Sequence, residues 1–177
     1  MRLSPALTRS SLTCLVISAC SAWLIAWGPP ALAAPQAQPV AAMVVSLTNA
    51  ERAKAGCPAL TEESHLDQAA QAHTADMAAR GVLDHNSSKG SPGDRIKAAG
   101  YRANAWAENI ASGQSSPAEV VGAWMRSAGH RANILNCRLR DIGVGFAKDR
   151  NGTAYWTQDF GTSSGQSSHQ STGRTRR

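Results

Sequence analysis

Apolar positions recur at helical spacing through the first part of the chain and switch to alternation near its end. Between residues 42 and 55, Met43, Val44, Leu47 and the small Ala50 share one helical face, and Gly56 supplies the stop. Cys57-Pro58 then turns the chain. The stretch from Thr61 to Arg80 predicts a second helix, with Leu66, Ala69, Ala70, His73 and Met77 on one face and Gly81 ending it. A short third helix is expected from Pro92 to Gly100. Ser116-Pro117-Ala118-Glu119 predicts the start of a fourth, with Ser as N-cap, Pro at the first helical position and Glu placed to complete a capping box. Val120, Val121, Trp124 and Met125 form its apolar stripe. Past residue 140 the period drops to two. Ile142, Val144 and Phe146 alternate with Gly143 and Gly145, and Ala154, Trp156, Gln158 and Phe160 alternate beyond the hairpin signal Asn151-Gly152. Two glycines in one strand imply a neighbour packed close to its backbone. Helices followed by a hairpin predict an α+β fold, helices packed on a small antiparallel sheet.

The two ends of the chain read differently. Arg2 and Arg9 precede an uncharged run of 18 residues, Ser10 to Trp27, which Pro29-Pro30 breaks before Ala31-Leu32-Ala33. A positive start, an apolar middle and a small-residue exit predict a secretory signal over residues 1–33, cut after Ala33. An uncleaved anchor and lipidation at Cys20 are the alternatives, and all three routes carry the domain out of the cytoplasm. Residues 34–41 form an Ala/Pro/Gln linker, residues 42–161 the folded domain, and residues 162–177 a Ser/Gly/Gln/Arg tail expected to be disordered.

Charge and cysteines narrow the picture. The formal net charge of +6 comes mostly from the ends, because residues 34–161 hold 13 basic against 12 acidic side chains. A nearly neutral domain has no electrostatic footprint for nucleic acid. Cys14 and Cys20 lie in the signal, leaving Cys57 and Cys137 as the two cysteines of the domain. In an oxidising compartment two cysteines predict one disulfide.

Chemistry must come from scattered residues, since Walker, GxGxxG, HExxH and CxxC patterns are all absent. Of five histidines, His169 falls in the tail, His65 at a helix start reads as surface, and His73 reads as a hydrogen-bonded core residue. His85 and His130 differ: each follows a helix and is flanked by polar residues, the setting in which sites tend to be found.

Six motifs occur in order: Asn49-Ala50-Glu51-Arg52, Asp76-Met77-Ala78 leading to His85, Glu108-Asn109-Ile110-Ala111, Trp124 to Leu135 with Gly129-His130-Arg131-Ala132-Asn133, Ile142-Gly143-Val144-Gly145, and Tyr155-Trp156-Thr157-Gln158. Together they resemble the CAP superfamily of cysteine-rich secretory, antigen 5 and pathogenesis-related proteins, and its bacterial secreted branch in particular. The resemblance spans about residues 42–161. It implies an α-β-α sandwich with a central cleft lined by two histidines and two glutamates that binds a divalent cation in some members. The histidines correspond to His85 and His130 and the first glutamate to Glu108. The second glutamate, in a Trp-x-x-Glu motif, is replaced by Ser127, a poor substitute for a carboxylate, and Glu119 is better explained as a cap. The resemblance also implies that Asn49, Arg52, Asn109, Trp124 and Asn133 brace the fold.

Three function classes follow. The first is an extracellular binding module, a monomer with a protein, lipid or small-ligand partner and without stable membrane insertion. It requires no cofactor, but His85, His130 and Glu108 are candidate ligands for a Zn-like divalent cation. The second is a hydrolase, either metal-assisted or built on Ser127, His130 and Glu108 as a Ser-His-Glu triad. The third is a lipid carrier.

Overall fold

A computed structural model describes residues 39–164 of the protein. Contacts divide the chain into Met1–Gln36 and Ala37–Arg177, and all described residues belong to the second unit. The signal, the Cys20 alternative, most of the linker, His169 and the tail beyond Ser164 lie outside the described residues.

The first helix, α1 (Val40–Lys54), buries Val44, Val45, Thr48 and Arg52. The expected helix from Thr61 divides in two. Thr61 and Glu62 form a short strand, β1 (Thr61–Glu62), paired in parallel with the later strand at Asp141 and Ile142. The helix α2 (Ser64–Arg80) starts only after Glu63, whose carboxylate accepts from the Leu66 N–H and caps it. The chain then runs through α3 (Pro92–Ala98), whose Ser91 and Asp94 make a reciprocal capping box. A long strand follows, β2 (Ala103–Ser112), in a stretch where alanines blur the alternation and the sequence pattern predicts no strand. In α4 (Pro117–Arg126) Ser116 caps the Glu119 N–H as expected, but the Glu119 carboxylate reaches Ser115 rather than Ser116. A fifth helix, α5 (Ala128–Ile134), carries His130, so this histidine stands on a helix and not on a loop. The hairpin is β3 (Asp141–Lys148) and β4 (Ala154–Ser163), turned by Asp149, whose carboxylate accepts from the N–H groups of Asn151 and Thr153.

The sheet order is β1-β3-β4-β2, antiparallel except for the β1–β3 pair. It is therefore mixed, not purely antiparallel. The helices α1, α4 and α5 cover one face, where Ile142, Val144, Trp156 and Phe160 join Val44, Val121, Trp124 and Ile134 in the main core. The other face receives α2 and α3. Cβ atoms built on Gly143 and Gly145 would lie 2.0 Å from the Leu66 carbonyl carbon and 2.4 Å from the Ala70 oxygen. These glycines let α2 lie directly on β3, the close approach that their spacing implied. The result is an α-β-α sandwich. Burying an aromatic such as Trp156 or Phe160, both fully enclosed, contributes about 2–3 kcal/mol each.

Cys57 and Cys137 are bonded, across 80 residues. The same junction is held by Arg52, fully buried, which donates from Nε to the Pro58 carbonyl, from Nη1 to those of Ile134 and Asn136, and from Nη2 to that of Leu139. Asn49 braces the Leu60 backbone through two hydrogen bonds. No helix among the described residues is long and apolar enough to cross a membrane.

Candidate functional site

Strand β2 lies at an edge of the sheet, and its residue Glu108 points to the α2–α3 side, opposite Asp159 of β4. Both residues are buried, so two carboxyl groups share a water-poor face. Three side chains from other elements converge on Glu108. Arg95 of α3 donates from Nη2 to Oε2 at 2.5 Å, and its Nη1 holds the backbone carbonyls of His85 and Gly90 at 2.8 and 2.9 Å. One buried guanidinium thus neutralises Glu108 and ties down the loop that carries His85. His85 places Nδ1 2.7 Å from Glu108 Oε1. A carboxylate only accepts, so Nδ1 carries the proton, and in the neutral ring Nε2 keeps its lone pair. The His85 side chain is 49% exposed, while that of Glu108 is 1% exposed. The site is a half-open imidazole backed by an enclosed carboxylate.

His73 of α2 closes the cluster from beneath. It is buried as the sequence suggests, yet neither ring nitrogen has a hydrogen-bond partner of good geometry. Its Nε2 stands 4.0 Å from Glu108 Oε2. Burial pushes the His73 pKa down and outweighs the opposing pull of Glu108, so the ring is neutral at neutral pH. Asp159 is pushed well up, first by burial and then by the Glu108 charge beside it. A protonated Asp159 facing an ionised Glu108 is the arrangement this electrostatics favours.

His130 arrives from the other side of the strand. Asn109 Nδ2 donates to the His130 backbone carbonyl at 3.2 Å, and Asn133 Nδ2 donates to Asn109 Oδ1 at 2.9 Å and to the Glu108 carbonyl at 3.3 Å. Gln158 extends this network to Thr48 of α1. These amides lock α5 onto β2, which is the bracing role expected of Asn109 and Asn133. The His130 pKa is lowered by burial and, next, by the charge of His85.

Ser127 joins α4 to α5, three residues before His130, and its hydroxyl makes no cap hydrogen bond. Glu108 is engaged by His85 and Arg95, and neither the Ser127 hydroxyl nor the His130 ring makes a side-chain hydrogen bond among the described residues, so the hydrogen bonds of a Ser127–His130–Glu108 relay are not formed there. Among the described residues, no group of three or more His, Cys, Asp or Glu side chains is arranged to hold a metal ion. The donor set in hand is two imidazoles, with Glu108 standing behind His85.

Arg95 and Asp159 are site residues that sequence reasoning passed over. Arg95 had a signal: it shares a helical face with Pro92 and Ile96, and a cation in an apolar row is a candidate for a buried partner. Asp159 alternates with Gln158 and Phe160, so its burial shows only once helices cover both faces of the sheet.

Three comparisons bear on this arrangement. A family model described as the cysteine-rich secretory protein family matches residues 45–160. The chain is 46% identical over 118 residues to the uncharacterized protein YkwD of Bacillus subtilis, covering 66% of this chain and 45% of that protein. It thus spans less than half the length of this relative. A crystal structure of an extracellular protein containing an SCP domain, from Bacillus anthracis, superposes with a TM-score of 0.64 at 29% identity, over 68% of this chain and 39% of that one. An outer surface protein of Borrelia burgdorferi shares the fold, with a TM-score of 0.65 at 22% identity, over 69% of this chain and 91% of that one.

Proposed function

The chain belongs to the cysteine-rich secretory protein (CAP) family, and from that premise we propose that it is an extracellular binding module whose His85–His130 cleft takes a divalent cation weakly. The observation that carries the reading is the His85–Glu108 hydrogen bond, which places the ring proton on Nδ1 and leaves the Nε2 lone pair of a half-exposed imidazole available. A buried carboxylate behind an imidazole fixes its tautomer and raises its basicity, the usual support of a ligating histidine. Two imidazoles suit Zn²⁺ or a similar ion, and water would complete its coordination. Ser127 contributes no charge where a second carboxylate would strengthen the hold. A bound ion would supply a positive centre able to anchor an anionic or carbonyl-bearing partner. The domain should fold without the ion, because neither its main core nor its disulfide uses His85, His130 or Glu108. An extracellular role is supported by the extracellular and outer-surface descriptions of the B. anthracis and B. burgdorferi proteins and by the signal pattern of residues 1–33.

Calorimetric titration of Zn²⁺ at two pH values tests the metal reading. Wild type should bind, and more weakly at the lower pH, since protons compete for the same lone pairs. The His85→Ala, His130→Ala double variant should lose the heat signal. Equal binding by both proteins, or none by wild type, would remove the cation from the proposal.

A further inference from the structure

Between α3 and the start of β2 lies a cavity of about 640 Å³ whose walls include Gly93, Lys97, Gly100, Arg102 and Trp106, and which His85 does not line. Its volume suits a ligand of one or two rings. Trp106 distinguishes it. The other described tryptophans are fully enclosed, and both spend their indole N–H on backbone carbonyls, Trp124 on Ile110 and Trp156 on Gln114. Trp106 is 47% exposed, and its indole N–H makes no hydrogen bond among the described residues. Its ring is nevertheless held in place. A Cβ on Gly93 would stand 3.0 Å from Trp106 Cε2 and 3.1 Å from Cζ2 and Nε1, so the indole rests against the bare backbone of α3. Beside this seated ring stand Lys97 and Arg102, both exposed, and neither makes an ion pair or side-chain hydrogen bond among the described residues.

We propose that this cavity is a second binding site, for an acidic saccharide whose ring stacks on Trp106 and whose carboxylate or ester anion is held by Lys97 and Arg102. The indole face is electron-rich and attracts the polarised C–H face of a pyranose. Its free N–H can serve a ring hydroxyl, and a guanidinium offers a two-pronged grip on an anion. A wholly apolar ligand would desolvate two cations without return. The chain's own tail is a poor occupant, since its Arg174, Arg176 and Arg177 repeat the charge already present. A membrane surface fits less well, because the indole lines a cavity and packs against Gly93 of α3.

The full-length protein titrated with a glucuronate-containing disaccharide, followed by the NMR signal of the Trp106 indole N–H and by calorimetry, tests this. The acidic disaccharide should shift that signal and bind about tenfold (~1.4 kcal/mol) more tightly than a neutral disaccharide of the same size. Trp106→Ala and the Lys97→Gln, Arg102→Gln double variant should each weaken binding about tenfold or more. The double variant alters only exposed positions, so it reports on the site even where Trp106→Ala misfolds. His85→Ala should bind as wild type does, which separates this site from the histidine cleft. No shift at millimolar sugar, equal binding by the variants, loss of binding in His85→Ala, or Trp106-dependent binding to anionic vesicles in place of the sugar would each overturn the proposal.

Discussion

Glu108 shows how one buried carboxylate organises a site from three directions. Arg95 supplies its counter-charge, His85 takes a proton-bearing contact, and Asp159 meets it across the strand pair. The neighbouring titratable groups are shifted in opposite senses, and this sets a pH dependence of stability. His73 and His130 have folded-state pKa values lowered by burial, so the unfolded chain takes up protons first on acidification. Their contribution is present above the unfolded value of about 6.5 and is lost as pH falls below it. Asp159 works the other way. Its raised pKa means the folded state holds the proton longer, so its contribution declines as pH rises from about 4 through the folded value. Urea unfolding from pH 8 to pH 5 should therefore show the Asp159→Asn variant, which lacks the opposing carboxyl, losing stability below pH ~6.5, with a shallower loss when His73→Asn is added. Asp159→Asn should raise the stability measured at pH 7 relative to pH 5. A pH-independent Asp159→Asn effect would mean that Asp159 is ionised in the folded protein throughout.

At the level of elements, the contact between α2 and β3 depends on two missing side chains. A methyl group at Gly143 would collide with α2 backbone at 2.0 to 2.4 Å, closer than real Cβ contacts come, and a backbone cannot swing aside as a side-chain end can. Gly143→Ala should cost at least the ~1–3 kcal/mol typical of overpacking, read as a lower melting temperature with intact secondary structure. It should also loosen the candidate site, because His73 rides on α2 and Asp159 pairs with Gly143 across β3 and β4. Gly152 has no such neighbour and serves the hairpin through its left-handed backbone at φ 84°. There alanine strains the turn locally and leaves the helix–sheet contact alone. The two glycine substitutions thus distinguish a packing role from a conformational one within the same hairpin.

For the whole molecule, the strongest tie between distant parts of the chain lies at the disulfide. Cys57–Cys137 and three of the four carbonyl bonds of Arg52 fasten the end of α1 to the stretch from the last residue of α5 to the start of β3. Closing a loop of 80 residues stabilises by roughly 4 kcal/mol in the chain-entropy picture. Replacing both cysteines by alanine should lower the unfolding free energy by an amount of that order while the Arg52 bonds keep the fold. A denaturant titration of the double variant checks this. A loss below about 1 kcal/mol would mean that the unfolded chain is already compact.

Glu108 became a candidate through the family resemblance alone, whereas local patterns were enough to establish the four main helices, the hairpin and its turn, the pairing of the two domain cysteines, and the candidacy of His85 and His130. Each is written in nearest neighbours or in short spacing: a cap before an apolar row, alternation around Asn151-Gly152, two cysteines left with one partner each. Tertiary structure decided what depends on contacts between segments far apart in the chain. Thr61 and Glu62 become a strand because β3 offers its edge, although their spacing continues the helix. The alanine-rich β2 is a strand because β4 pairs with it along its length. Arg95 and Asp159 enter the site because α3 and β4 converge on Glu108, a meeting invisible to local periodicity. Trp106 rests against α3 because Gly93, 13 residues earlier, has no side chain to displace it. Periodicity reports which face of an element is apolar, and only the packing of those faces determines which polar groups are shut in together.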